Sequence, residues 1–455
     1  MANLRRNGLI WVLLCIGVGS LWGTFNATKW TAWIDFRGLY CGTRCLLHGH
    51  DPYIQDNVAR EYLSEGGQRP TVASWAPPNA PRLQFQSLTV WVNLPSTFVV
   101  AAPFAALPWG PAHILWMLLT GAVFGLAILL MWHVGAGYSP RVATFLACVI
   151  AFNCLSIFAG ANAAGIVVGF CAIAAWCFLR NRFVWVGVLF LGLSLAVKPH
   201  DSGFVWLYFL LAGGAFRKRA LQSAAITAVI GLASIVWVLH VAPNWLHEWN
   251  VDLATISARG GINEPGPSAV RDGSIYSIVD LQGILSIFRD DPRFYNTATY
   301  AFCGALLLVW SIRTLRMRFS PNAWLALAAV APITLLVTYH RLWDAKLVML
   351  AIPACCMLWA KDSSLGKAAM LITSAALLST GDISLVIFEA IVNSFPFGVH
   401  GIVTRAITAV LIRPASLGLL AMGLFYLWVY LRRIPEQQPG AVGAALEAEP
   451  ALELH

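Results

Sequence analysis

Charged residues are scarce in this sequence, since only 11% of its 455 residues are Asp, Glu, Lys or Arg. A soluble chain would be about one-quarter charged, and 58% of this one is hydrophobic, which excludes a soluble globular protein. The net charge of +9 does not indicate nucleic-acid binding, because the basic residues form short clusters between apolar runs. That distribution is typical of the loops of a membrane protein.

Motifs for metal- and nucleotide-dependent chemistry are also missing. The sequence has no His-Glu-x-x-His motif, no Asp-x-Asp motif in the segment 27–110, and no glycine-rich nucleotide-binding motif after a strand. Its ten cysteines show no zinc-type spacing, and most lie in apolar runs, where they act as small hydrophobic residues. We therefore expect no metal, no cofactor and no ATP-driven chemistry.

Apolar runs that can form membrane helices recur along the whole sequence. A transmembrane helix needs roughly 20 apolar residues, and fewer where protein covers it. The runs lie at 8–26, 111–134, 142–159, 163–179, 183–197, 202–216, 221–241, 297–312, 323–338, 345–360, 368–392 and 414–431. They predict an all-α polytopic membrane protein with about 12 transmembrane helices in a single domain, 1–433. The first run is expected to be an uncleaved helix, and the Ala/Glu/Pro-rich segment 434–455 a disordered cytoplasmic tail.

The distribution of basic residues predicts the orientation of the chain. A further apolar stretch, 88–107, is broken by Pro95 and Pro103 and followed by Pro108, so we expect it to stay on the outer side without crossing. With the N-terminus inside, the short inner loops hold eleven basic residues and the short outer loops three. This is the positive-inside pattern. Both termini are then cytoplasmic, and two long segments, 27–110 and 242–296, lie outside.

The first outer segment contains the pattern of an amphipathic helix. Apolar residues recur at helical spacing over 36–47, and the sequence Gly-His-Asp-Pro-Tyr at 49–53 ends the pattern. Arg37, Arg44 and His48 lie on another face. We expect a helix that lies on the membrane surface between the first two spans.

Polar side chains gather at the predicted outer ends of the helices: Asp35, Asn162, Lys198, His200, His340, Arg341 and Asp344. Asp35 could take a proton from a substrate hydroxyl, or it could be a helix-end carboxylate that faces water. Lys198 could bind a phosphate, or its amine could only extend to the interface.

The remaining outer residues also have two interpretations each. His340 and Arg341 both donate to anions such as phosphate, or they belong to an ordinary interfacial loop. Arg271, in the second outer segment, could neutralise a phosphate or be solvated. Asn162 is typical of a turn, and Asp344 can pair with Arg341 or Lys346.

The first outer segment resembles a known family. Residues 35–40, followed by 46–53, resemble the first-loop pattern of glycosyltransferase family 87, in which an Asp and a nearby Tyr precede Leu-x-Gly-x-x-Pro-Tyr. Three later blocks, 103–116, 195–199 and 340–350, resemble the family in the same order. The resemblance covers roughly residues 30–355.

The resemblance implies a GT-C-like fold and a single catalytic domain. It also implies sugar transfer from a polyprenyl-phosphate donor, often mannosyl, with inversion and on the extracytoplasmic face. Asp35 would be the catalytic base, and Lys198 and His340 would bind the donor phosphate. The expected substrate- or phosphate-binding set is completed by Arg341, Arg271, Asn162, Tyr40 and His200.

We therefore expect a glycosyltransferase of the bacterial plasma membrane that moves a mannose-like hexose or a pentose to a lipid or glycan acceptor. Its partners would be the donor, the acceptor and the bilayer, and not nucleic acid. A transporter or flippase of a lipid-linked sugar is the alternative; it would favour internal repeats and charges near the bilayer midplane, whereas most charges here lie at helix ends. A non-catalytic assembly subunit, or a polymerase or ligase that uses a diphosphate donor, is a further possibility.

Overall fold

The computed structural model describes residues 2–27, 34–73, 76–266, 278–316, 323–361, 364–382 and 402–432, together with Ile387 and Ala390. The predicted tail 434–455 and the candidate ligand Arg271 lie outside the described residues.

The described chain is built almost wholly of helices. In chain order these are α1 (Ala2–Ala27), α2 (Ile34–Leu47), α3 (Gln55–Ser64), α4 (Ser96–Ala105), α5 (Trp109–Ala136), α6 (Pro140–Phe152), α7 (Leu155–Gly160), α8 (Ala164–Leu179), α9 (Val184–Val197), α10 (Pro199–Ala212), α11 (Gly214–Val241), α12 (Trp245–Ile256), α13 (Gln282–Phe288), α14 (Pro292–Arg316), α15 (Ala323–Val337), α16 (Ile352–Trp359), α17 (Ser364–Ser379), α18 (Ile402–Ile412) and α19 (Pro414–Leu431). A 3₁₀ helix, Asp344–Ala351, precedes α16, and two short strands, β1 (Ile278–Val279) and β2 (His340–Arg341), pair antiparallel.

Several of these helices have the length and composition of membrane spans. Among the described residues, six stretches are long and apolar enough to cross a bilayer: Asn3–Phe25, Trp109–Ala136, Pro140–Gly160, Gly214–Val241, Pro292–Arg316 and Pro414–Leu431. Helices α4, α8, α9, α15 and α17 are apolar but shorter. The all-α class is confirmed, and the spans are those of a polytopic membrane protein. The number of about 12 crossings stays a prediction.

The proline-broken stretch 88–107 folds as a short helix. Helix α4 has ten residues and contains Pro103, so it is about 15 Å long. The hydrocarbon core is about 30 Å thick. Helix α4 alone is therefore too short to cross, and the outer position of 88–107 stays a prediction.

The helix predicted over 36–47 is α2, and protein rather than lipid covers its apolar face, while its position on the membrane surface stays a prediction. Most of its side chains are buried, and Gly42 lies so close to the ring of Trp91 that an added Cβ would be 2.5 Å away. The Arg44 guanidinium bonds to Glu65, directly after α3, at 2.9 Å and donates to the carbonyl of Ala105, the last residue of α4, at 3.2 Å. Protein covers the apolar face of α2, because α3 and α4 fold back over it.

The packed centre of the protein surrounds α8 and α15. Both helices are rich in Ala and are buried on nearly every side. Helix α8 packs between α5 and α9, and α15 packs against α19. Near the N-terminal end of α9, the start of α11 contacts the end of α8. The Arg219 guanidinium donates to the Phe178 carbonyl at 2.8 Å. The candidate site lies at the other end of α9.

Candidate active site

Asp35 lies in the first turn of α2, close to the turn that joins α7 to α8. Its Oδ2 accepts a hydrogen bond from the Asn162 amide at 2.8 Å. Gly160 allows this approach, because a Cβ there would lie only 3.2 Å from the same oxygen. Burial raises the pKa of Asp35, while the Asn162 hydrogen bond and the charges of Arg341 and Lys198 lower it. The net shift is upward, which makes Asp35 a stronger base than an exposed carboxylate.

The turn at 160–163 is held rigidly. Ala161 adopts a left-handed conformation, with φ of 48°, and its carbonyl accepts a hydrogen bond from the Trp116 indole at 2.9 Å. Asn162 Oδ1 accepts the Ala164 backbone N–H at 2.8 Å, which caps the start of α8. The Trp116 ring stacks on Phe36 with centroids 4.6 Å apart. Phe36, which follows Asp35, and Ala161, which follows Gly160, therefore both contact the Trp116 side chain.

Lys198 lies at the break between α9 and α10. Pro199 disfavours helical backbone at the residue before it, and Lys198 has φ −140° and ψ 80°. Its ammonium donates to Asp344 Oδ1 at 2.6 Å and lies 4.0 Å from Asp201 Oδ2. Burial alone would lower the pKa of Lys198, but Asp344 and Asp201 outweigh it and raise the pKa. Lys198 is therefore a permanent cation.

Asp201 and His340 form a second buried contact beside Lys198. His340 is fully buried; its Nε2 is 3.2 Å from Asp201 Oδ1, and its Nδ1 is 2.8 Å from the Thr338 carbonyl. His200 Nε2 lies 3.9 Å from the same Asp201 oxygen, and 40% of its side chain is exposed. Burial opposes ionisation of Asp201, but Lys198 and the two imidazoles hold its pKa well below the usual range. Burial opposes protonation of His340 too, but Asp201 raises its pKa on balance.

Arg341 joins the second outer segment to this cluster. Its guanidinium donates to the Ile262 carbonyl at 2.8 Å and to Asn263 Oδ1 at 3.1 Å. Its backbone N–H donates to Asp344 Oδ2 at 2.9 Å. Strand β2 holds both His340 and Arg341 in register with β1, opposite Val279 and Ile278. The Asp344 carboxylate therefore links Lys198 to the backbone of Arg341.

The structure thus brings together Asp35, Asn162, Lys198, His200, His340 and Arg341. Tyr40 is placed elsewhere: its hydroxyl donates to the Leu107 carbonyl at 2.8 Å and accepts from Arg44 at 3.2 Å. Arg271 lies outside the described residues. The substrate-binding roles of all these residues stay predictions.

Two residues of the cluster were not candidates from the sequence. Asp201 follows Lys198 by three positions, and this spacing in a first helical turn is a signal that could have found it. Gly160 carries no side chain, so only the three-dimensional approach to Asp35 identifies it. Asp344, expected to pair with Arg341 or Lys346, instead binds the Lys198 ammonium through Oδ1.

Comparison with known proteins gives one match. The family model described as glycosyltransferase family 87 matches residues 91–338, which is more than half of the chain. The matched range contains Asn162, Lys198 and Asp201, begins after Asp35, and ends two residues before His340. The chain matches no curated protein and no solved structure.

Proposed function

Because the chain belongs to glycosyltransferase family 87 and is therefore a glycosyltransferase, we propose that it uses a polyprenyl-phosphate sugar as donor. The sugar, a mannose-like hexose or a pentose, passes to a lipid or glycan acceptor with inversion at the anomeric carbon. The reaction takes place on the extracytoplasmic face of a bacterial plasma membrane, and both termini of the chain are cytoplasmic. The main support is a single buried cluster that combines a carboxylate, Asp35, with the cations Lys198 and Arg341.

The cations of the cluster suit the phosphate of such a donor. A sugar phosphodiester carries one negative charge, and a second develops on the phosphate as the bond to the sugar breaks. Groups that are already oriented toward this developing charge stabilise the transition state. The Lys198 ammonium and the Arg341 guanidinium act on this region, and the N-terminus of α10, which begins at Pro199, adds a partial positive charge. His340 is too enclosed to reach a phosphate directly and acts through Asp201.

Asp35 is the proposed general base. The acceptor hydroxyl oxygen attacks the anomeric carbon while its proton passes to Asp35. The bond from that carbon to the phosphate oxygen breaks, and its electron pair stays on the phosphate. Attack and departure occur on opposite faces of the sugar, so the configuration inverts. Burial raises the pKa of Asp35, which brings the base closer to the working pH.

The cluster lies at chain breaks between apolar helices, as a lipid-linked substrate requires. The polyprenyl chain can stay in the hydrocarbon while the phosphate reaches the breaks at Lys198 and Asn162. Family membership makes the chain an enzyme, and so leaves the transporter alternative without support. The bilayer is accordingly a partner of the protein as well as its solvent.

The test is sugar transfer by purified protein in lipid nanodiscs. Wild type and Asp35→Asn are offered a panel of radiolabelled polyprenyl-phosphate sugars, with membrane lipid extract as acceptor. The matched control is Asp56→Asn, which removes an exposed carboxylate of α3. We expect transfer by the wild type and the control, and a loss of about 10²–10⁴-fold in Asp35→Asn with donor binding retained.

Two outcomes would contradict the proposal. Undiminished transfer by Asp35→Asn would refute Asp35 as the base but not the donor class. Failure of the wild type to transfer from any member of the panel, while it transfers sugar from a nucleotide or diphosphate donor to the same extract, would refute the donor class.

A further inference from the structure

Three potential metal ligands converge within the cluster. His200 Nε2, His340 Nε2 and an Asp201 carboxylate oxygen all lie within 4.8 Å of one another. The contact from His340 Nε2 to Asp201 Oδ1 is 3.2 Å, and that from His200 Nε2 to the same oxygen is 3.9 Å. Ligand atoms about 2.0–2.1 Å from one tetrahedral ion are about 3.3 Å apart. One pair already has this spacing, and the half-exposed His200 ring can turn to close the others.

The orientation of His340 leaves its Nε2 for a cation. The Thr338 carbonyl, 2.8 Å from Nδ1, can only accept a hydrogen bond, so Nδ1 carries the proton. In the neutral ring the Nε2 lone pair then faces the Asp201 carboxylate. Apart from their 3.2 Å contact with each other, the Asp201 carboxylate and His340 Nε2 have no hydrogen-bond partner among the described residues. Two electron-rich atoms this close require a proton or a metal ion between them. A carbonyl that fixes the other ring nitrogen is the usual support of a metal-binding imidazole.

A divalent metal ion would bring more positive charge into the cluster than a proton on His340. When ionised, Asp35, Asp201 and Asp344 outnumber the described cations Lys198 and Arg341 by one. A proton on His340 would only balance this charge, and would leave nothing to match the donor phosphate and the charge that develops on it. A divalent ion leaves the cluster one charge positive before the donor phosphate binds.

We propose that His200, Asp201 and His340 bind a divalent transition-metal ion. Two imidazoles and one carboxylate favour ions such as Zn²⁺, Mn²⁺ or Co²⁺ over Mg²⁺ and Ca²⁺. An ion bound there would lie beside the partly exposed His200, and Lys198 lies 4.0 Å from the other Asp201 oxygen. A phosphate oxygen can therefore contact the ion and Lys198 together, and the ion acts as a Lewis acid on the leaving phosphate. The binding site stands on the geometry alone, whereas this role rests on the proposed function.

The binding test uses the full-length protein in nanodiscs, freed of any affinity tag and stripped with EDTA. Co²⁺ is added as the probe, its visible absorption is recorded, and bound metal is counted per chain by mass spectrometry after removal of free ion. The variants are His200→Ala, whose partly exposed side chain makes misfolding a small risk, and Asp201→Asn, which keeps the shape of the side chain. The control is His247→Ala, an exposed histidine of α12.

We expect about one ion per chain in the wild type and in His247→Ala. We also expect an affinity at least about tenfold lower in His200→Ala and Asp201→Asn, since even the loss of an outer-shell partner costs 10–100-fold. Sub-stoichiometric binding by the wild type, or equal binding by all variants, would overturn the site.

A sugar-transfer assay distinguishes failure of the proposed metal site from failure of the proposed function. Transfer that falls on chelation and returns with added metal supports the catalytic role of the ion. Undiminished transfer by chelated protein overturns that role and leaves the proposed function standing. Stoichiometric metal binding by a protein that transfers sugar from a nucleotide or diphosphate donor, but from no polyprenyl-phosphate sugar, keeps the metal site and removes the proposed donor class.

Discussion

Replacement of Asn162 with serine should move the acidic limb of the pH–rate profile to higher pH. The Asn162 amide donates to Asp35 Oδ2 at 2.8 Å and stabilises the ionised carboxylate, which lowers its pKa. The proposed base acts only when ionised, so the rate rises as the pH passes through the pKa of Asp35. Without the amide this pKa is higher, and a higher pH is needed for the same fraction of active enzyme.

The size of the shift follows from the strength of the hydrogen bond. A hydrogen bond to a charged group is worth about 1.5–3 kcal/mol. Asp35 is only partly buried by surface area, so water replaces part of the bond, and about 1.4 kcal/mol, or about one pKa unit, is a fair expectation. The rate should therefore fall about tenfold on the acidic limb and change little on the plateau.

Serine is chosen because Asn162 also caps α8. Its Oδ1 accepts the Ala164 N–H, and a serine hydroxyl can take over that bond but is too short to reach Asp35. The assay is kcat/KM against pH in nanodiscs, with a thermal melt to show that the fold is unchanged. Asn57→Ser is the control, since the Asn57 amide donates to the Asp51 carbonyl and not to the cluster. An unshifted acidic limb in a stable Asn162→Ser protein would refute the reasoning.

Two further predictions follow from buried contacts. Gly160→Ala places a Cβ 3.2 Å from Asp35 Oδ2, so the carboxylate must give by a few tenths of an ångström; we expect kcat to fall by up to about tenfold with an unchanged melting temperature, and unchanged kcat would contradict the close approach. Burial raises the pKa of Asp252 to about 7, against the effect of Arg82. The folded protein thus keeps a proton that the unfolded chain releases near pH 4, so stability falls between about pH 4 and 7, by at most about 4 kcal/mol. The melting temperature of Asp252→Asn should exceed that of the wild type by a margin that grows with pH across that range. A constant margin would show that Asp252 does not titrate there.

Local sequence patterns were enough to place the helices and the break at Lys198. Apolar runs have few ways to satisfy their backbone in a membrane other than as helices, and Pro199 ends α9 because it disfavours helix at the residue before it. The sorting of basic residues also predicted that Asp35, Asn162, Lys198 and Arg341 would share one face. The structure brings these four residues into one cluster, although the catalytic roles stay predictions.

The remaining features depend on contacts between distant parts of the chain. Asp35 meets Asn162 across 127 positions, and Lys198 meets Asp344 across 146, and no local pattern encodes such pairs. The periodicity of α2 shows an apolar face but not what covers it, so lipid was inferred where α3 and α4 lie. Tyr40 has the same spacing whether it faces a substrate or the Leu107 carbonyl. Helix α18 was not predicted, because its apolar stretch is only eleven residues long.

The shortness of α8 and α9 has a consequence for the lipid around them. They have 16 and 14 residues, or about 24 and 21 Å, against a hydrocarbon thickness of about 30 Å. In the proposed orientation, which puts the basic turn 180–183 at the inner headgroups, Lys198 and Asn162 would lie several ångströms below the outer headgroups. The headgroup of the proposed lipid-linked donor would then have to enter a depression in the protein surface, or the bilayer would have to thin around the protein. The rate of the proposed reaction should therefore depend on membrane thickness as well as on substrate concentration.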